Sequence, residues 1–358
     1  MTQKAFPKPV GIKDVAQCAG VSISTVSNAL SGKKAVSPQL KKRVLDAVCQ
    51  LEYEANPIGR QLKTGRSQQI AFLVPSITSA FFPEVLKSMQ RAADAVGYTI
   101  SVFGTRGRLE QERRIISLLR GQGFDGILLD SCADVDKPET EEYLAFLERL
   151  NSDQSPMHII CVETAISNKL DAVVINDTDG IFKATEHLIK LGRKRIAYIA
   201  APNQYIHAKN RKRGFLAALA IHSISTDHAL IEEGDFTCRS GYDAMERILE
   251  RKQDFDAVVA GNDQMAIGAI RSLKEHGITI PADVAVIGFN GNTPASLITP
   301  ALSTVSVPKQ EMGTLAFELF QRRVAGDKTA RMQIQLDGTL VIRQSTDANA
   351  ASEWELDW

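Results

Sequence analysis

The chain has 358 residues, 44% hydrophobic and 23% charged, an ordinary globular composition long enough for two or three domains. No run reaches 18 apolar residues, which argues against a membrane span, and the opening MTQKAFPKPVGIKD lacks the apolar core of a secretory signal, so a cytoplasmic location is expected. Net charge is zero but uneven: residues 1–66 carry eleven Lys and Arg against four acids, the remainder 31 against 38. A basic head on an acidic body points to a polyanion partner for the head; a solvated lysine-rich face is the plainer alternative.

Along the chain, Ile12, Val15, Ala16 and Ala19 mark one face of a first helix that Gly20 ends. Ser22 is a good N-cap for a second, with Ile23 or Val26, Ala29 and Leu30 facing inward. Ser37-Pro38 opens a third, which runs through Leu40, Val44, Leu45, Val48 and Leu51. Three short helices with a tight Ala-Gly-Val-Ser turn between the first two form a helix-turn-helix pattern. Its second helix is rich in hydroxyls, which a helix interior usually avoids. Ser22, Ser24, Thr25 and Ser27 make sense there as short groups reaching phosphates and base edges in a major groove. A bundle with a serine-rich exposed face is the competing reading.

The linker 54–66, EANPIGRQLKTGR, has Asn56 to cap and Pro57 to start a helix, but only about two turns follow before Thr-Gly. So short a helix is marginal in water, so it is expected to fold only when docked.

Beyond it the pattern turns α/β. Strand-like runs at 69–74, 99–103, 126–130, 158–163, 195–200, 257–261 and 284–289 alternate with amphipathic stretches such as FPEVLKSMQRAADAVG and DGIFKATEHLIKLG. An enzyme is not expected. The GQGFDG at 121–126 fits a dinucleotide fingerprint, but it follows a helical run and leads into a strand, the reverse of what that motif needs. Five scattered cysteines without C-x-x-C and six histidines without metal spacing indicate neither a disulfide framework nor a metal, and no cofactor is expected. No G-x-S-x-G elbow occurs.

The runs IKDVAQCAGVSISTVSNALSG and VSPQLKKRVLDAVCQLEYEANPIGRQLKTGRS resemble the DNA-binding head of the lactose-repressor (LacI/GalR) family. IAFLVPSITSAFFPEVLKSMQRAADAVGY, HLIKLGRKRIAYIA, GNDQMAIGAIRSL and VIGFN extend the resemblance over residues 11–346. Gly11 stands where threonine is usual, Asn28 where arginine is common, and Gly59 where alanine is usual.

The resemblance implies a homodimer on a pseudo-palindromic operator in double-stranded DNA, with a small-molecule effector and no membrane partner. It implies a head at 1–53 and a hinge at 54–66. The core at 67–346 would have two periplasmic-binding-protein-like subdomains with parallel sheets facing a cleft, one of residues 67–175 and 309–336, the other of 176–308 and 337–346. The tail 347–358 is too short for a heptad seam. Base reading would fall to Ile23, Ser24 and Asn28, with Asn56, Arg60 and Lys63 at the hinge and Leu62 as a minor-groove wedge.

Effector contacts would fall on Ser79, Phe81, Phe82, Glu163, Arg211, Phe236, Asn262 and Asn290. Arginine and asparagine suit a polar ligand and aromatics cover a ring, although the three phenylalanines suit a core equally well. Asn290 stands where aspartate is typical, and Asn176-Asp177 reverses a common Asp-Asn. With Lys209, Arg211 and Lys212 close in sequence, this leans toward an acidic or phosphorylated sugar. The expected function is a repressor of a carbohydrate-uptake or catabolic operon. The alternatives are a global carbon regulator with a protein co-effector and a sugar-binding protein without DNA function.

Overall fold

Glycine and serine set the boundaries of the first helices. In the computed structural model, which describes residues 10–31, 34–53, 61, 65–152 and 157–351, α1 is Ile12–Ala19, α2 Ile23–Ser31 and α3 Pro38–Gln50. The Gly11 N–H donates to Asp14 Oδ2 at 2.8 Å, so the N3 carboxylate supplies one half of a capping box, and the half that needs an N-cap side chain is absent. Gly20 takes φ 60°, the left-handed conformation that closes α1 at little cost. Arg43 of α3 then donates to the freed Ala19 carbonyl at 2.6 Å. The Ser37 hydroxyl accepts from the Leu40 N–H ahead of Pro38.

The helices bury Val15, Ala16, Ala19, Val26, Ala29, Val44 and Ala47. Leu30 and Leu45 do not join them, being 39% and 47% exposed. Each lies one step, 100° of helix, beyond an inward neighbour, Ala29 or Val44.

The chain divides after Gln68, and the second unit, from Gln69 on, contains two sheets. One holds β1 Gln69–Val74, β2 Thr99–Gly104, β3 Gly126–Leu129, β4 His158–Glu163, β5 Asp171–Ile175 and β11 Gln333–Leu336, in the order β11-β5-β4-β3-β1-β2. The other holds β6 Ile196–Ala200, β7 Ile231–Glu233, β8 Ala257–Ala260, β9 Ala285–Asn290, β10 Ser303–Ser306 and β12 Thr339–Val341, in the order β12-β10-β9-β8-β6-β7. All pairings are parallel except β10 with β12.

Parallel strands covered on both faces read as continuous apolar runs, which is why QIAFLV and AVVA were visible in the sequence. Five short strands were not: β7, β10 and β11 are at least half polar, and β5 and β12, DAVVI and TLV, are runs of only five and three residues. GQGFDG joins the end of the helix Leu109–Gly121 to β3, outside any phosphate-binding context.

Each sheet reverses its strand order once, between β1 and β3 in the first lobe and between β6 and β8 in the second. Loops leaving such a reversal diverge and open a crevice beyond the carboxyl ends of the strands. Close helix packing fixes the walls. Helix Cys238–Glu250 meets helix Asp263–Glu275 through Gly241 and Gly268, where a Cβ would strike the Met265 or the Cys238 backbone.

Candidate functional site

On the head, the Ser22 hydroxyl accepts from the Thr25 N–H at 3.1 Å and contacts Ser24 Oγ at 2.7 Å and Thr25 Oγ1 at 2.8 Å. The hydroxyls therefore cap α2 and one another at its N-terminus. Ile23 sits beside them 44% exposed, Ser24 is exposed, and Thr25, Ser27 and Asn28 are half-buried on the same helix. Exposure of an isoleucine at the first position of this helix leaves an apolar group for a partner. Asn56, Arg60, Leu62 and Lys63 lie outside the described residues.

In the second unit a cavity of about 540 Å³ lies at the strands' carboxyl ends, and Ser79, Phe81, Phe82, Glu163, Arg211, Phe236, Asn262 and Asn290 all line it. Its centre is Arg211, on the helix Ile206–Ile221 and 1% exposed. The guanidinium donates from Nε to Asp177 Oδ1 at 2.7 Å, from Nη2 to Glu163 Oε1 at 2.8 Å and from Nη1 to the Gly261 carbonyl at 2.9 Å. It also stacks over Phe289, 4.3 Å from the ring centre. Glu163 belongs to one lobe and Asp177 and Gly261 to the other, so Arg211 holds both together at the floor.

Asn262 caps the helix Asp263–Glu275 through the Met265 N–H and donates to the Phe236 carbonyl at 3.0 Å. The Asn290 and Gly291 carbonyls accept from the buried Lys309 at 2.9 and 2.6 Å. Lys309 also pairs with Glu84 of the first lobe at 3.3 Å.

Phe81 and Phe82 are buried and meet edge to face at 5.3 Å, serving core and cavity at once. Across from them Tyr205 and His207 stack at 5.3 Å, and His207 lies 5.4 Å from Phe236. Burial, then the nearby Arg211 charge, pushes His207 down to about 3, so it is neutral at ordinary pH.

The backbone is strained here. Four of the eight described non-glycine residues with positive φ line this cavity: Arg106 at 58°, Glu163 at 69°, Phe236 at 72° and Asn290 at 112°. Such strain persists where surrounding structure over-determines it, and it gathers at binding sites.

Asp130, at the end of β3, was read from sequence only as the last residue of an apolar strand, yet it lines the floor. It is 1% exposed and Oδ1 has no hydrogen-bond partner. Burial raises its carboxyl well above the usual range, and the charges of Glu163 and Glu112 raise it further. Burial also raises Glu163 and Asp177, against the pull of Arg211. The available signal was an acid closing a parallel strand at the end where ligands bind.

Two of the three cations behind the lean toward an acidic ligand, Arg211 and Lys209, are engaged within the protein. The Arg211 charge is taken by two carboxylates, and Lys209 reaches across to the first lobe, to Asp134 at 2.7 Å and to Asp136.

Comparison with known proteins agrees with this architecture. Residues 11–56 match the lacI family of bacterial regulatory proteins, and residues 185–346 match a periplasmic binding protein-like domain. The chain is 34% identical to the HTH-type transcriptional repressor PurR of Edwardsiella ictaluri (strain 93-146), over 93% of this chain and 96% of that protein. It is 31% identical to the HTH-type transcriptional regulator DegA of Bacillus subtilis (strain 168), over 94% and 97%. The lac repressor dimer bound to operator and the anti-inducer ONPF superposes with a TM-score of 0.84 at 25% identity, covering 95% of this chain and 99% of that one. The transcriptional regulator CelR in complex with cellobiose gives 0.69 at 28%, covering 94% and 99%. With relatives above 30% identity along nearly its whole length, the chain belongs to the lacI family of bacterial regulatory proteins, as a DNA-binding transcriptional repressor.

Proposed function

We propose that the chain is a homodimeric repressor whose operator affinity is set by a non-anionic, polyhydroxylated effector in the interlobe cavity, with carbohydrate uptake or catabolism as the regulated process. The observation that carries this reading is the convergence of both lobes on one cavity whose polar lining is rich in acceptors. Asp130 Oδ1 and Asn290 Oδ1 are buried without partners, and the Glu163 carboxylate stands beside them. Hydroxyl donors suit such a lining; at its floor a phosphate or carboxylate would meet acceptors, with the Arg211 charge already taken by Glu163 and Asp177. Phenylalanine on one wall and the Tyr205–His207–Phe236 group on the other suit the apolar faces of a ring. The lac repressor dimer is bound to operator and CelR to cellobiose, and both are structurally similar to this chain.

In the head, Ile23, Ser24 and Asn28 read the operator, Ile23 through thymine methyl groups and Asn28 by paired hydrogen bonds to adenine. Effector binding favours one placement of the lobes, and the differential affinity of the two states sets the response.

The test is fluorescence anisotropy on an operator selected from random duplex, titrated with neutral mono- and disaccharides, hexose phosphates and nucleobases. A shift in operator affinity by a neutral saccharide supports the reading. A response to hexose phosphates or nucleobases alone would overturn the effector class.

A further inference from the structure

The cavity floor holds more carboxyls than cations, so burial favours the protonated form of Asp130, which lies within hydrogen-bonding reach of Glu163. Asp130, Glu163 and Asp177 are three buried carboxyls around one guanidinium, that of Arg211, which spends its donors on Asp177, Glu163 and the Gly261 carbonyl. No other described cation is available to the floor. Lys209 is held by Asp134 and Asp136, and Lys309 by two carbonyls and Glu84. His207 is neutral. Arg106 also lines the cavity but is exposed, and so lies away from the buried floor, as does Asp235, whose carboxylate accepts from Thr237.

A hydroxyl brings one donor together with acceptor lone pairs, and so meets an acceptor-rich floor only in part. An ammonium brings three donors, no acceptor and the missing positive charge. Burying a carboxylate without a counter-charge is costly, and a ligand cation removes that cost. Resting on the reading of this cavity as the effector site, we propose that the effector carries a protonated amine seated against Asp130 and Glu163, as in an amino sugar. The unpartnered Asp130 Oδ1 is the acceptor that faces it.

Calorimetry on the full chain tests this with glucosamine, galactosamine and mannosamine. Each is set beside its parent hexose, its N-acetyl derivative and its 6-phosphate. At least one amine binds about tenfold or more tighter than its parent, as one charge-assisted hydrogen bond supplies, and N-acetylation removes the gain. In Asp130→Asn the amine and the parent hexose converge. Without ligand that variant unfolds at or above the parent protein's temperature near neutral pH, because a carboxyl that burial disfavours in its charged form has gone; a lower temperature contradicts the excess of carboxyls at the floor. Neutral hexoses binding as well as or better than every amine would overturn the proposal and leave the effector site standing. Binding by no member of the panel would overturn both.

Discussion

The head and the cavity present polar side chains in opposite ways. On α2, Ser22 and Ser24 lie at the surface and are tied, with Thr25, into the helix's own N-terminal cap. At the floor of the cavity the buried groups hold other parts of the fold: Arg211 joins two lobes through Glu163 and Asp177, and Asn262 both caps a helix and fixes Phe236. Surface readout can therefore change without disturbing the fold that carries it. Readout in the cavity is inseparable from stability.

Arg211→Ala gives the largest effect. It leaves Glu163 and Asp177 buried without their counter-charge, at about 3–5 kcal/mol by urea unfolding near neutral pH. Both carboxyls are already raised by burial and rise further without the arginine. A raised carboxyl makes the folded state bind more protons than the unfolded one, so stability falls as pH increases. The deficit therefore narrows as pH drops from neutral toward the ordinary carboxylate range. A variant with the parent's unfolding midpoint at neutral pH would erase the contrast between the two regions.

Asn28→Ala comes next, with about 1–3 kcal/mol of base discrimination lost at one base pair per half-site. Global unfolding should stay within about 0.5 kcal/mol of the parent, as for a surface change. Equal weakening on all DNA sequences would make Asn28 a phosphate contact instead. Gly20→Ala sharpens the comparison from the head's side. It forces a side chain into the φ 60° turn and toward Arg43, at about 1–2 kcal/mol. Operator affinity should fall while calorimetric ligand binding in the cavity is unchanged.

How much of this could be read from the sequence follows from how local each determinant is. The head was legible because Gly20, Ser37 and Pro38 act on neighbouring residues, and because its apolar period is helical. β1 and β8 were legible because parallel strands buried on both faces are apolar throughout. β10 was not: Ser303 and Thr304 are buried only because Arg343 and Asp263, far away in sequence, supply their hydrogen bonds. Asp263 itself is pushed up to about 6 by its burial.

The cavity divides along the same line. Its eight expected residues follow family motifs, whereas Asp130 gains meaning only where β3 meets β4 and Glu163. Lys209 misled because its partner Asp134 lies 75 residues away, so its closeness to Arg211 in sequence suggested a shared ligand.

Lys209→Gln gives the smallest effect. The pair with Asp134 and Asp136 is partly screened by solvent, so its loss should cost about 1 kcal/mol or less, and the difference from the parent should vanish at high salt. A deficit that persists at high salt would make Lys209 a packing element instead of an ionic one.

Selection of binding sites from a randomised duplex library by the full chain tests the central claim most directly. The expected result is an inverted-repeat consensus, two half-sites related by the two-fold axis of a dimer, with one base pair in each half-site whose preference disappears in Asn28→Ala. Enrichment of no sequence, or of a site without two-fold symmetry, would contradict it.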